Sequence, residues 1–287
     1  MAKHETGSVR SQKGKLAMGY RIRQLSLGGV LDQAVTLTKD HFGTLFRITA
    51  VTVLLPLLAQ GMLQTIAMPQ LSNAPTPEEI QVYLTAMSKI GLVIMVISFA
   101  TIAATIIANA ALVHGIASVY LDKPLTTKMA VKRALAVFWP FVGTSILVGV
   151  ILVAGFLMLI VPGIIFFLWY ALVTQIVVVE GSSGLEAMKR SKALMAGNMG
   201  SMFLLGFVML FINLGIGWGA AMVPQPHVRA LLTAFVQSAL MIFGTAVTVV
   251  FYFSARCKHE QFDLQLLAEN VGAEIVLESA DEDEQAT

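Results

Sequence analysis

The sequence predicts an all-α integral membrane protein with six transmembrane helices and three amphipathic helices along the cytoplasmic interface. Three observations lead there. Of 287 residues, 56% are hydrophobic and only 13% charged, with a mean hydropathy of +0.78. Soluble domains carry about 25% charged residues, so this chain cannot clothe a water-facing surface. Six apolar runs each reach the roughly 20 residues that cross a bilayer. Between them lie short segments that are basic on one face.

The elements follow in order. Residues 1–27 form a basic arm, with Lys3, Arg10, Lys13, Lys15, Arg21 and Arg23. No apolar run follows until near Phe42, so the arm is not a cleaved signal peptide and is expected to be flexible. The membrane domain is 28–270. In 30–42, Val30, Leu31, Ala34, Val35, Leu37 and Phe42 share one helical face, opposite Asp32, Gln33, Thr36, Lys39 and Asp40. The first span is 43–67, and Pro56 should kink it.

Thr76-Pro77-Glu78-Glu79 carries a threonine N-cap, a proline at the first helical position and a glutamate at the third, a capping box with a favoured proline. It opens a water-exposed helix, 77–88, leading into the second span, 89–121, with Gly91 as a bend. In 127–138, Ala130, Val131, Ala134, Val137 and Phe138 oppose Lys128, Lys132 and Arg133. Spans 140–161 and 163–180 make a hairpin whose turn is Val161-Pro162-Gly163.

The third amphipathic stretch is 184–198. Ala187, Met188, Ser191, Leu194 and Met195 share an arc, opposite Glu186, Lys189, Arg190 and Lys192, with Leu185 the exception. Spans 200–223 and 229–255 complete the set. The tail, 271–287, holds the acidic run Glu-Ser-Ala-Asp-Glu-Asp-Glu and reads as a disordered, solvating segment.

Lysine and arginine in the connections set the expected orientation. With the N-terminus inside, 17 of the 19 basic residues lie on the cytoplasmic side and only Lys89 and Arg229 outside. Even span number then puts the C-terminus inside too. The amphipathic helices turn basic faces toward lipid headgroups, so anionic membrane lipids are the expected partners. A net charge of +2 does not point to nucleic acid.

Each amphipathic segment precedes an odd-numbered span, and those spans open alike on Gly43-Thr44, Gly143-Thr144 and Gly200-Ser201. Two readings stand: three copies of one unit, an interfacial helix plus a hairpin, or coincidence in a chain with 23 glycines.

Val161-Pro162-Gly163, the run to Glu180-Gly181, and Leu185-Glu186-Ala187-Met188-Lys189-Arg190-Ser191 resemble the bacterial glycerophosphoryl diester phosphodiesterase membrane domain and its uncharacterised relatives. Tyr252 through Leu264 resembles that group's closing motif, with Gln261 where a glycine is typical. The resemblance spans about residues 25–270. It implies a six-helix bacterial inner-membrane protein and does not imply phosphodiesterase activity, which belongs in fused members to a separate soluble barrel.

No metalloprotease, serine-hydrolase or P-loop motif is present. The five histidines, His4, His41, His114, His227 and His259, are scattered, and the single cysteine, Cys257, allows no internal disulfide. The expectation is therefore a non-enzymatic protein with no cofactor. No Asp, Glu, Lys or Arg lies mid-span, which argues against a proton path. Gln60, Gln64, Asn109, Gln175, Asn213 and Gln237 do lie within spans. They suit hydrogen bonds between helices or a polar cavity. Small residues at Ala100, Ala104 and Ala108, and at Gly215 and Gly219, suit close helix approach. Glu180 ends the fourth span ahead of Lys189 and Arg190, and with one of them would latch the 184–198 helix to the bundle. Two functions remain: an organiser of lipid or of a membrane complex, and a transporter of a small or lipid-like molecule.

Overall fold

The computed structural model describes residues 22–67, 75–265 and 268, so the arm's first 21 residues and the acidic tail lie outside the described residues. Every regular element among the described residues is helical, and six helices are long and apolar enough to cross a membrane.

Helix α1 (Leu27–Thr49) starts at Ser26, whose hydroxyl accepts the Gly29 N–H at 3.3 Å. The described end of the arm is tied down, because the Leu25 N–H donates to Ser254 Oγ at 2.8 Å. The amphipathic part of α1 buries Val30, Ala34 and Leu37, while Val35 is half exposed. The helix leaves ideal geometry at His41 (φ −115°, ψ 15°) and continues into the first span. A π-helical turn at Ala50–Leu54 then leads into α2 (Leu55–Ala67). Pro56 lacks an N–H and its ring crowds the carbonyl four residues back, at Thr52. The wider turn sits around that carbonyl, so the expected kink takes the form of a π-bulge.

Helix α3 (Pro77–Tyr120) opens with the expected capping box: Thr76 Oγ1 accepts the Glu79 N–H at 3.3 Å and Glu79 Oε2 accepts the Thr76 N–H at 3.1 Å. It is one 44-residue helix rather than a leading helix and a span jointed at Gly91. A helix-interior glycine costs about 1 kcal/mol, which its neighbours absorb. Beyond α3, Asp122 adopts a left-handed conformation (φ 54°).

Helix α4 (Thr127–Ala136) buries Ala130 and Ala134, breaks at Val137 (φ −96°, ψ 5°), and passes into α5 (Phe138–Met158). The hairpin turn is not Val161-Pro162-Gly163. It is the single extended residue Leu159 (φ −170°, ψ 158°), and α6 (Ile160–Trp169) starts at the next position. Pro162 sits in the first turn of α6, where its missing N–H leaves no intrahelical bond unmade. Gly163 instead serves packing: a Cβ there would strike the Phe156 ring, and one at Gly155 would meet Phe166 at 2.6 Å. A short helix, α7 (Val173–Gln175), and a π-helical turn at Ile176–Glu180 finish the fourth span, which stops at Gly181 (φ 81°).

Helix α8 (Gly184–Met195) buries Ala187, Met188, Ser191, Leu194 and Met195 and exposes Leu185. This apolar arc rests on the protein's own core. Helix α9 (Met199–Ala221) buries only Met202 and Leu205. Helix α10 (Pro226–Glu260) closes the bundle and stops at Gln261 (φ 52°).

The core is concentrated at the end of the bundle where α1 begins and α3, α7 and α10 finish, here the basal end. Tyr120, Tyr252 and Phe253 are fully buried there, and the Tyr120 and Phe253 rings stack at 5.1 Å. At the opposite end Leu157, Leu159, Val161, Trp218 and Met222 are exposed. Gly215 and Gly219 approach no neighbour, since a Cβ at either meets nothing within 4 Å. Of Ala100, Ala104 and Ala108 only the last is buried. The close helix approach expected at those residues occurs at Gly155 and Gly163.

Candidate functional site: a basal ion cluster and an amide-lined cavity

Two arrangements of polar side chains stand out, one at the basal end and one at mid-depth. At the basal end, Gly181 turns the chain so that α8 folds back beneath the fourth span. Arg190 meets Glu180 side-on, Nε to Oε2 at 3.0 Å and Nη2 to Oε1 at 3.2 Å. The Tyr252 hydroxyl donates to the same carboxylate at 2.6 Å. Arg190 Nη1 also contacts Glu260, whose other oxygen accepts from Arg256 Nε at 3.0 Å. Arg256 in turn lies 4.0 Å over the Phe262 ring. The hydrogen bonds to Glu260, and then to Glu180, hold the Arg190 proton more firmly than usual, against the opposing effect of burial.

Of the two bases considered for Glu180, then, Arg190 is the one in contact, and Lys189 is exposed. The sequence alone does not single out the partners Tyr252, Arg256 and Glu260. They lie more than 60 positions from Glu180, and only their helical spacing (252, 256, 260, one face of α10) hinted at a shared target. Ser191 adds a second anchor, donating to the Trp169 carbonyl at 2.7 Å and accepting the Leu172 N–H at 3.2 Å.

Equivalent positions on the other amphipathic segments also reach the end of a span. Arg133 donates to the Val178 carbonyl at 3.3 Å, and Gln33 Oε1 accepts from the Tyr120 hydroxyl at 3.4 Å. Gln33, Arg133 and Arg190 each lie ten residues ahead of Gly43, Gly143 and Gly200.

The second arrangement is a half-open cavity of about 460 Å³ between the first two spans, α6, α9 and α10, in whose wall Asn109 is partly buried and Asn213 and Gln237 are exposed. Asn109, Asn213 and Gln237 line it, with Thr105 and Thr248 beside them. Asn109 lies about 16 Å along α3 from its basal end and Asn213 about 21 Å along α9 from its own, at 1.5 Å per residue, so both lie well inside helices long and apolar enough to cross a membrane. Asn213 donates to the Met209 carbonyl at 2.8 Å. No hydrogen bond of Asn109 or Gln237 is found among the described residues.

The other within-span amides separate from this group. Gln175 does not line the cavity. It is buried behind it, donating from Nε2 to Thr248 Oγ1 at 2.8 Å, while its Oε1 has no partner among the described residues. Gln60 bonds Ser98 at 3.3 Å away from the cavity. The Gln64 side chain lies outside the described residues.

Residues 127–277, just over half of the chain, match the family model described as Domain of unknown function (DUF8558). The chain belongs to the DUF8558 family. The match begins at the first residue of α4, so within the described residues this DUF8558 chain carries the whole basal ion cluster inside its matched region, and Asn109 outside it. No curated protein and no solved structure matches the chain.

Proposed function

We propose that this chain is a non-catalytic membrane protein that binds a lipid-like molecule at mid-membrane, and so holds or transfers lipid. The observation that carries this is the cavity, whose 460 Å³ lies within the roughly 300–1,000 Å³ of small-molecule sites and whose wall is apolar with a few convergent amides. Filling it from the inside tests the idea. Gly206 and Gly244 line it, and a Cβ on either meets nothing within 4 Å. Native mass spectrometry of detergent-extracted protein should show a lipid adduct on wild type that Gly244→Leu loses. An adduct of equal occupancy on Gly244→Leu would reject the cavity as its seat.

The surroundings we infer are a bacterial inner membrane with both termini cytoplasmic, supported by the 17-to-2 distribution of basic residues. The basal end is then the cytoplasmic end, where exposed Lys128, Lys132, Lys189 and Lys192 face anionic headgroups. Labelling of Pro75→Cys from outside intact cells, with Glu186→Cys protected, is the expected result, and the opposite pattern would invert the orientation.

We further infer three copies of one unit. The register supports it: N-caps Ser26, Thr126 and Ser183 each lie 17 residues ahead of the paired glycines. The buried sets Val30/Ala34/Leu37, Ala130/Ala134/Val137 and Ala187/Ser191/Leu194 share one spacing, and each unit ends near a left-handed residue, Asp122, Gly181 or Gln261. Kinship with the phosphodiesterase membrane domain remains a proposal, supported by the meeting of its two motif regions at Glu180, Arg190, Tyr252 and Glu260.

A further inference from the structure

Among the described residues, the cavity wall contains no Asp, Glu, Lys, Arg or His. An ionised head at this depth would have no counter-charge in the wall, and an uncompensated charge is expensive there. What the wall offers instead is hydrogen bonding of both kinds. The carboxamides of Asn109 and Gln237 carry two N–H donors and an acceptor oxygen each, and neither is engaged by the described protein. Asn213 has spent one N–H on the Met209 carbonyl. Thr105 and Thr248 donate to the Thr101 and Thr245 carbonyls at 2.8 and 3.0 Å, and Thr248 Oγ1 already accepts from Gln175 Nε2 at 2.8 Å, so Thr105 keeps the larger share of free acceptor capacity. Unpaired amides against hydrocarbon are unfavourable, so this wall is complementary to a group that both donates and accepts without charge.

The rest of the wall is adaptable. Met202, Met209 and Met241 line it, and unbranched thioethers repack around chains of different shape. Such a site reads the head and tolerates the tail. Resting on the lipid-binding function proposed above, we infer that the ligand is a lipid with an uncharged hydroxyl or ester head, of diacylglycerol type, and not an anionic phospholipid.

The test uses the full chain in phosphatidylcholine nanodiscs with two photoreactive probes of identical acyl chains, a diazirine diacylglycerol and a diazirine phosphatidic acid. Adducts are mapped by peptide mass spectrometry. Diacylglycerol should label the peptides containing Met202, Met209 and Met241, and phosphatidic acid should not. Asn109→Leu or Gln237→Leu should each lower that labelling about fivefold, the value of one net hydrogen bond. Both variants should keep the wild-type Tm, because the amides make no bond to the described protein. Cavity labelling by phosphatidic acid at equal or greater yield would overturn the uncharged head while leaving a lipid site in place. Labelling by neither probe would overturn both. Unchanged diacylglycerol labelling in the leucine variants, or a marked fall in Tm, would show that the amides do not recognise a head.

Discussion

The basal ion cluster and the mid-depth cavity use polar side chains in opposite ways. At the basal end Glu180, Arg190, Glu260, Arg256 and Tyr252 satisfy one another, across two stretches of sequence, 180–190 and 252–260. In the cavity Asn109 and Gln237 face open space. Polar groups that are paired in the protein fix its shape. Those left unpaired, in a solvent that cannot pair them, mark where a partner belongs. With the function proposed above, the contrast gives the first region a structural part and the second a binding one.

Breaking the basal cluster should have the largest effect on stability. Arg190→Gln removes the base shared by two carboxylates. Arg190 is 33% exposed and Glu180 18%, so water screens part of the loss. The cost should be about 2–3 kcal/mol, between that of an exposed pair and that of a buried one. Denaturation in mild detergent reads the loss, and hydrogen exchange locates it: residues 184–195 should exchange faster while 27–40 serve as control. Glu180→Gln should act in the same direction by a smaller amount, and be non-additive with Arg190→Gln but additive with Lys189→Gln.

The next effect separates two kinds of small residue. Gly155→Ala drives a methyl into Phe166 and should cost about 1–3 kcal/mol. Gly215→Ala enters open space and should stay within about 0.5 kcal/mol of wild type. Equal losses would mean that the α5–α6 hairpin is looser than its glycines indicate.

Local chemistry made much of this fold legible in the sequence. The Thr76–Glu79 box requires only four adjacent residues, and the arc Ala187, Met188, Ser191, Leu194 and Met195 requires only helical spacing. The Glu180–Arg190 contact was within reach because one turn and one short helix join them. What escaped depended on tertiary placement. Val161-Pro162-Gly163 has turn composition, yet Leu159 is the residue that turns, because proline is harmless in a helix's first turn and Gly163 is needed against Phe156. Tyr252 and Glu260 could not be assigned to Glu180 without knowing how α10 packs. Six within-span amides looked alike in sequence. Only packing divides the five whose side chains are described into three in the cavity wall, Gln175 behind it, and Gln60 committed to Ser98.

The most direct measurement compares two variants for Tm and for lipid retained through purification: Arg190→Gln and the double variant Asn109→Leu/Gln237→Leu. Arg190→Gln should lower Tm and keep its lipid. The double variant should hold its Tm and lose its lipid. If both properties fell together in both variants, the cluster and the cavity would be parts of one stabilising network, and the division between structure and binding would be contradicted.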